Sequence, residues 1–391
     1  MTSRRLRLPR SAQYRLLVAS WTFSVANGFS APVLGLYLFT QSSLIVSAEF
    51  YLVNAASILA TYIAVGEMSG RIKSTSSLYR PGLALLAAFY ALLIALGDLA
   101  ARLFLPLAVL YGVAQGLYWS GWDIAYYEFI SDRLTFFNRL AYLGFVSSLV
   151  VPAVYGAALA ELGQRGYVLL FGLSTAGLAA ASYMMPGMRP SLGRFSIKGM
   201  VTLTARDREY GGLVVPLSLL FGYGYSTSYI NSVLTYTYFG RSYRSFAVFN
   251  YAMSVLAVIV VRLRRRLSEL LGKRRLLLGT SLVMMAASAG AAVDRLAIPA
   301  YLVTSTVFSQ LVTFVDVDTW NSMKREDFAE YMTNRHLMLN SGRGLATAVL
   351  IATLSLGSTD LVTVAVSAFA VAGSLGYSMP ELLGRQRKGR A

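Results

Sequence analysis

The chain has 391 residues, of which 56% are hydrophobic and only 14% charged, where a water-soluble globular protein carries about 25% charged residues. Too few polar side chains exist to coat the apolar ones, which excludes a soluble enzyme or a soluble binding module and leaves lipid as the surrounding medium. There is no cysteine and a single histidine, His336, so disulfides, thiolate catalysis and cysteine metal sites are excluded, and neither a metal nor a cofactor is expected.

Apolar runs of about 20 residues, each long enough to span a bilayer as a helix, recur along nearly the whole chain. Twelve are predicted, over 14–39, 43–66, 80–97, 103–126, 139–160, 166–186, 211–239, 244–262, 275–293, 297–320, 336–357 and 360–380. The basic start "MTSRRLRLPRSAQYR" precedes an apolar stretch from Leu16 to Phe39. That stretch is too long for the h-region of a signal peptide and is read as a retained first helix. The longest polar connector lies between spans six and seven. It divides the chain into a six-helix bundle over 1–186, a linker over 187–210 and a second six-helix bundle over 211–391.

The net charge of +17 follows this layout. With the N-terminus inside, 29 of the 35 Lys and Arg residues fall on inside segments and five on outside loops, and Arg343 lies within a span. Basic residues favour the cytoplasmic side, so both termini are expected there, in the plasma or inner cell membrane. The cluster "RLRRRLSELLGKRR" at 262–275 becomes a cytoplasmic loop between spans eight and nine. Topology explains the charge, so no nucleic-acid partner is expected, and membrane lipid is the large partner.

Polar residues within spans should face protein or a water-filled cavity. Span one carries Ser20, Ser24 and Asn27 on one face, with Gly28 and Pro32 loosening the helix beyond. Glu49 in span two is a candidate proton site or simply lies near outer water. Span four has an aromatic and polar face of Tyr111, Gln115, Trp119, Trp122, Asp123 and Tyr126. Glu128 lies off that face, within reach of Arg71 or Arg139. Span seven shows Tyr225, Tyr229, Ser232 and Tyr236 at helical spacing. Span ten carries Thr306, Ser309, Gln310, Thr313, Asp316 and Trp320 on one broad face, and Asp318 points the other way. In span eleven His336, Asn340, Arg343 and Thr347 form one narrow stripe. Arg343 needs a carboxylate, carbonyls or an anionic substrate, and a salt bridge to Asp316 in the neighbouring span is the first expectation.

The halves repeat one another. Met68-Ser69 matches Leu267-Ser268 at an offset of 199, Asn138-Arg139 matches Asn334-Arg335 at 196, and "VLGLYLF" matches "VLTYTYF" at 200. Parallel six-helix repeats with a midplane site between them are an architecture of secondary transporters. The segments after spans two and eight then resemble the loop motif of the major facilitator superfamily, G-x-L-A/S-D-R-x-G-R-R/K. Gly66, Met68, Ser69, Arg71 and Lys73 fit the first copy, and Leu267, Ser268, Glu269, Gly272, Lys273 and Arg274 the second. The first copy has Gly70 where the family has aspartate, with Glu67 as a displaced substitute. The family's antiporter motif in span five is kept only as Pro152 and Gly156, with Val151 before the proline.

The resemblance implies an all-α membrane protein with twelve transmembrane helices in two pseudo-symmetric bundles. It also implies a cytoplasmic gate built on Gly66, Glu67, Arg71, Lys73, Arg139, Glu269, Gly272, Lys273 and Arg335. The expected function is secondary active transport of a small organic solute or drug-like compound by alternating access, coupled to H+, by a monomer and not an enzyme. The substrate cavity is expected to use Asn27, Gln115, Trp119, Trp122, Asp123, Tyr225, Tyr229, Gln310, Asp316, Asn340 and Arg343. Glu49, Asp123 and Asp316 are the candidate proton sites. An uncoupled facilitator or lipid-handling flippase is the alternative, and a non-transporting scaffold or sensor a remote one.

Overall fold

The computed structural model describes residues 10–130, 133–190, 192, 195–324 and 326–382. The basic residues at both extremes of the chain lie outside that range, as does the side chain of Glu128. Among the described residues the regular structure is helical throughout. The helices are α1 (Arg10–Gln41), α2 (Leu44–Glu67), α3 (Ser76–Leu96), α4 (Phe104–Phe129), α5 (Arg133–Leu162), α6 (Arg165–Met184) and α7 (Ile197–Arg206). They continue with α8 (Arg208–Tyr238), α9 (Tyr243–Leu271), α10 (Lys273–Val293), α11 (Ile298–Leu311), α12 (Thr313–Ser322), α13 (Phe328–Ser355) and α14 (Val362–Leu382).

Among the described residues, ten segments are long and apolar enough to cross a membrane. Helices α4 and α8 are not among them, although they run for 26 and 31 residues. Tyr, Trp, Ser and Gln dilute their hydropathy, and these two helices contribute heavily to the interior described below. Residues such as Val109, Val150, Leu169 and Val283 stay exposed, as side chains that face lipid tails do.

The two sets of helices pack alike. Helices α2, α3, α1, α3 and α1 pair with α4, α4, α6, α6 and α5. At the corresponding places α9, α10, α8, α10 and α8 pair with α11, α11, α14, α14 and α13. Between the sets, α2 meets α13, α5 meets α9 and α1 meets α8. The α2–α13 and α5–α9 contacts exchange under the repeat, so an approximate two-fold axis relates the sets. Arg139 and Arg335 stand six and seven residues after the first residues of α5 and α13, Arg133 and Phe328.

Three features depart from the sequence reading. The basic cluster is not a loop: α9 continues through Leu271, since nothing before Gly272 breaks it. Gly272 then makes the corner at φ 79°, a conformation costly for any residue with a Cβ. Span ten is split into α11 and α12 at Val312, with no proline or glycine there to signal it. The connector also holds a helix of its own. Ser196 caps α7 by accepting from the Gly199 N–H, and Met200 and Leu203 are buried. The connector docks on α13, where Ser196 donates to Glu330 at 3.0 Å and Asn334 donates to the Met200 carbonyl at 2.8 Å. The end of the bundle that carries α7 and the α9–α10 corner is called the basic end below, and the opposite one the far end.

Candidate functional site

A cavity of about 1340 Å³ lies between the two sets of helices. Residues from α1 to α5 line one side and residues from α8, α9 and α11 the other. Asn27, Gln115, Trp119, Tyr225 and Gln310 of the sequence-derived set line it. Trp119 is the exposed member of an aromatic ladder: Phe23 stacks on Tyr118 at 3.9 Å and meets Trp119 edge-on at 5.6 Å. The cavity reaches toward the basic end between α5 and α9, where Arg262 lies over the Phe145 ring at 4.6 Å.

Toward the far end, neutral rings join the halves. Tyr51 of α2 stacks on Tyr229 of α8 at 4.2 Å, with planes 6° apart. The Tyr225 hydroxyl donates to the Tyr51 carbonyl at 2.8 Å and receives Asn54 Nδ2 at 2.6 Å. Ser232 donates to the Pro32 carbonyl of α1 at 2.8 Å.

Toward the basic end, charge joins them. Asp123 of α4 is buried, and one of its oxygens accepts from the Tyr62 hydroxyl at 2.8 Å and meets His336 Nε2 at 2.8 Å. The His336 ring lies flat on Tyr62, with centroids 3.5 Å apart. The preceding residue, Arg335, pairs with Asp316 and covers the Trp320 ring at 4.6 Å. Apolar packing seals this level: Tyr127 stacks on Phe328 at 3.9 Å. Gly66 is needed for the approach of α2, because a Cβ there would stand 2.8 Å from Phe195 and 3.0 Å from Thr333 Oγ1.

The expected Arg343–Asp316 pair is not formed. Asp316 is held by Arg335, eight residues earlier on α13 and so about 12 Å away along the helix. Arg343 instead donates to Asn340 at 3.0 Å and lies over the Tyr225 and Phe221 rings at 5.1 and 5.6 Å. Asp318 accepts from Tyr377 at 2.6 Å and lies 3.8 Å from Lys273.

The remaining sequence-derived residues divide as follows. Trp122 donates to Ser20 at 3.1 Å and so ties α4 to α1 rather than lining the cavity. Tyr229 closes the far seam, and Asn340 Nδ2 donates to the His336 carbonyl. Glu49 is partly buried in α2 and makes no ion pair with a described residue. Of the gate motif, Glu67, Arg71, Lys73 and Arg139 are exposed. Glu269 pairs with Arg265 on its own helix at 2.9 Å. Among the described residues these charges make no ion pair between the halves. Of its charged members Arg335 is buried, where Arg139, its counterpart in the repeat, is not.

Sequence reasoning missed Tyr51, Asn54, Tyr62 and Arg262. The first three were legible as a stripe at i, i+3 and i+11 in span two. Arg262 was hidden among the other basic residues of its cluster.

No family model matches the chain. An uncharacterized protein, YqgE of Bacillus subtilis (strain 168), is 28% identical over 190 residues, 46% of this chain and 44% of its own length. The match thus spans less than half of that curated relative. Solved structures match nearly end to end. The nucleoside transporter NupG superposes with a TM-score of 0.67 at 12% identity, covering 96% of this chain and 100% of its own. A peptide transporter POT in complex with sulfate gives 0.73 at 12%, covering 97% and 96%. The fucose:proton symporter FucP of E. coli gives 0.62 at 16%, covering 95% and 98%. The fold is that of the major facilitator superfamily.

Proposed function

We propose that the chain is a multi-pass membrane transporter that moves a small organic solute by alternating access, with halves 1–186 and 211–391 rocking about the cavity. The observation that carries this reading is the 1340 Å³ cavity lined by both halves and bounded by contacts between them toward each end. Opening requires only that one seam part while the other holds, so the solute need never meet both sides at once. Its aromatic and amide lining suits a partly apolar organic molecule. The charge split supports both termini on the cytoplasmic side, and the basic end is then the cytoplasmic gate.

Coupling to protons is proposed through Asp123. Its carboxylate joins α4 to α13, so a proton delivered there weakens the basic seam. Proteoliposome uptake of a panel of labelled organic solutes, with and without a pH gradient, tests both steps. Gradient-driven accumulation that Asp123→Asn abolishes while sparing solute exchange supports the coupled reading. A second reading, an uncoupled facilitator, is favoured by one observation: among the described residues the cavity lining holds no Asp or Glu. Uptake that equilibrates and ignores the gradient decides for it.

A further inference from the structure

The charge around the cavity is one-sided. Its lining contains Arg262 and, among the described residues, no carboxylate. Directly behind the lining residue Tyr225 stands Arg343, with its guanidinium over that ring. Asp316 and Asp123 are the acids that α12 and α4 bring toward this region, and both are engaged. Asp316 holds Arg335, while Asp123 receives Tyr62 and His336. Arg343 therefore makes no ion pair among the described residues. Its guanidinium donates to the neutral amide of Asn340, and its Nε is buried without a partner. The side chain is nevertheless only partly buried as a whole.

An arginine has five N–H donors and cannot shed its proton within a protein. Held in a low-dielectric interior without a carboxylate, it is a standing cost to the fold, and such groups persist where they serve a ligand. The neighbouring groups are neutral: Asn27, Asn54 and Gln115 offer amides, and Asn54 Oδ1 has no partner. Trp119, Tyr51 and Tyr225 offer ring faces and edges. A cationic solute would enter a space with two guanidinium groups and no balancing acid. A neutral one would leave Arg343 unpaired.

We propose that the cavity is built for an anionic amphiphile, a small molecule with one carboxylate-like group on an apolar or aromatic body, and that Arg343 is its counter-ion. The anionic group swings Tyr225 aside or slips along its edge to meet the planar fork of Arg343, which suits a carboxylate geometrically. The body lies against Trp119 and Tyr51. Arg262, toward the basic end of the cavity, draws anions to that side. This assignment rests on the transporter reading, since it names the solute of that same cavity.

The test uses three probes of one shape: 2-naphthylacetate, its neutral amide 2-naphthylacetamide, and the cationic 2-(2-naphthyl)ethylammonium. Binding is measured on the full chain in detergent, by thermal shift and by equilibrium dialysis. The acid is expected to bind at least about tenfold more tightly than the amide, and the ammonium most weakly. Arg343→Gln should bring the acid down to the level of the amide and leave the amide unchanged. The ligand-free protein should melt no lower, because an uncompensated charge has gone. Arg343→Lys should keep the order acid over amide over ammonium with a smaller gap.

The proposal is overturned if the ammonium binds as well as the acid, if acid and amide bind alike, if the acid gives no binding at millimolar concentration, or if both variants keep the full acid preference. If Arg343→Gln does not fold, the wild-type series and Arg343→Lys decide. Uptake of the acid into proteoliposomes separates the two readings. Charge-selective binding without uptake sinks the transporter and leaves the anion site. Uptake without charge preference does the reverse.

Discussion

At the basic end the halves meet through Asp123, His336 and Tyr62, with Arg335 and Asp316 alongside. At the far end they meet through Tyr51, Tyr225 and Tyr229, with Ser232 on the Pro32 carbonyl. The first seam depends on the ionisation and completeness of its members, because a buried charge that loses its partner is expensive. The second depends on ring stacking and on hydrogen bonds between neutral groups. If the halves rock about the cavity as proposed, such a difference lets a proton act on the basic seam and leave the far one untouched.

The largest effect should come from Arg335→Ala. It strands the Asp316 carboxylate, uncovers Trp320 and should lower stability by about 3–5 kcal/mol, read as a melting shift in detergent. Asp316→Ala added to it should recover part of that loss. An equal loss in the double variant and the single one means that the two side chains do not stabilise one another. Next comes Tyr62→Phe, which removes one donor from buried Asp123 and should cost about 1–3 kcal/mol.

Asp207 sharpens the contrast outside the membrane. It caps α8, and although burial raises its pKa, hydrogen bonds from Lys324, Tyr331 and the Tyr210 N–H outweigh that and hold it at about 2. A folded pKa below the unfolded value of 3.8 means stability that is full above pH 4 and lost as pH falls toward 2. Asp207→Asn should flatten the melting profile across that window, and an unchanged profile would remove Asp207 as a pH-dependent tie. The smallest effect belongs to the far seam. The Tyr229 hydroxyl is buried without a hydrogen-bond partner, so Tyr229→Phe should not lower stability. A loss comparable to that of Tyr62→Phe would show that the Tyr229 hydroxyl holds the far seam.

Much of this fold was legible because membrane helices announce themselves by length and apolarity. The repeat was legible from three short matches. The site was legible only in part. Helical spacing found the faces of α4, α8 and α13, but spacing gives rotation about an axis and not depth along it. Arg335 and Arg343 are separated by just over two turns, and the choice of partner for Asp316 turned on that depth. The break at Val312 carries no proline or glycine, so the phase beyond it could not be followed. Asp123 was found as a cavity residue and lies instead in the seam, since the α4 face that carries it meets α2 and α13 as well as the cavity.

The central claim is that the two seams open in turn about one cavity. The chain has no cysteine, so paired spin labels can be placed without background. One pair, Met68→Cys with Leu270→Cys, reads the basic end across the halves, and a second, Leu103→Cys with Leu356→Cys, reads the far end. All four sites are exposed. Pulsed electron–electron resonance in liposomes, at two pH values and with and without 2-naphthylacetate, should show two populations in which one distance lengthens as the other shortens. A single distribution for each pair, unmoved by pH or probe, or two distances that lengthen together, would contradict alternating access in this chain.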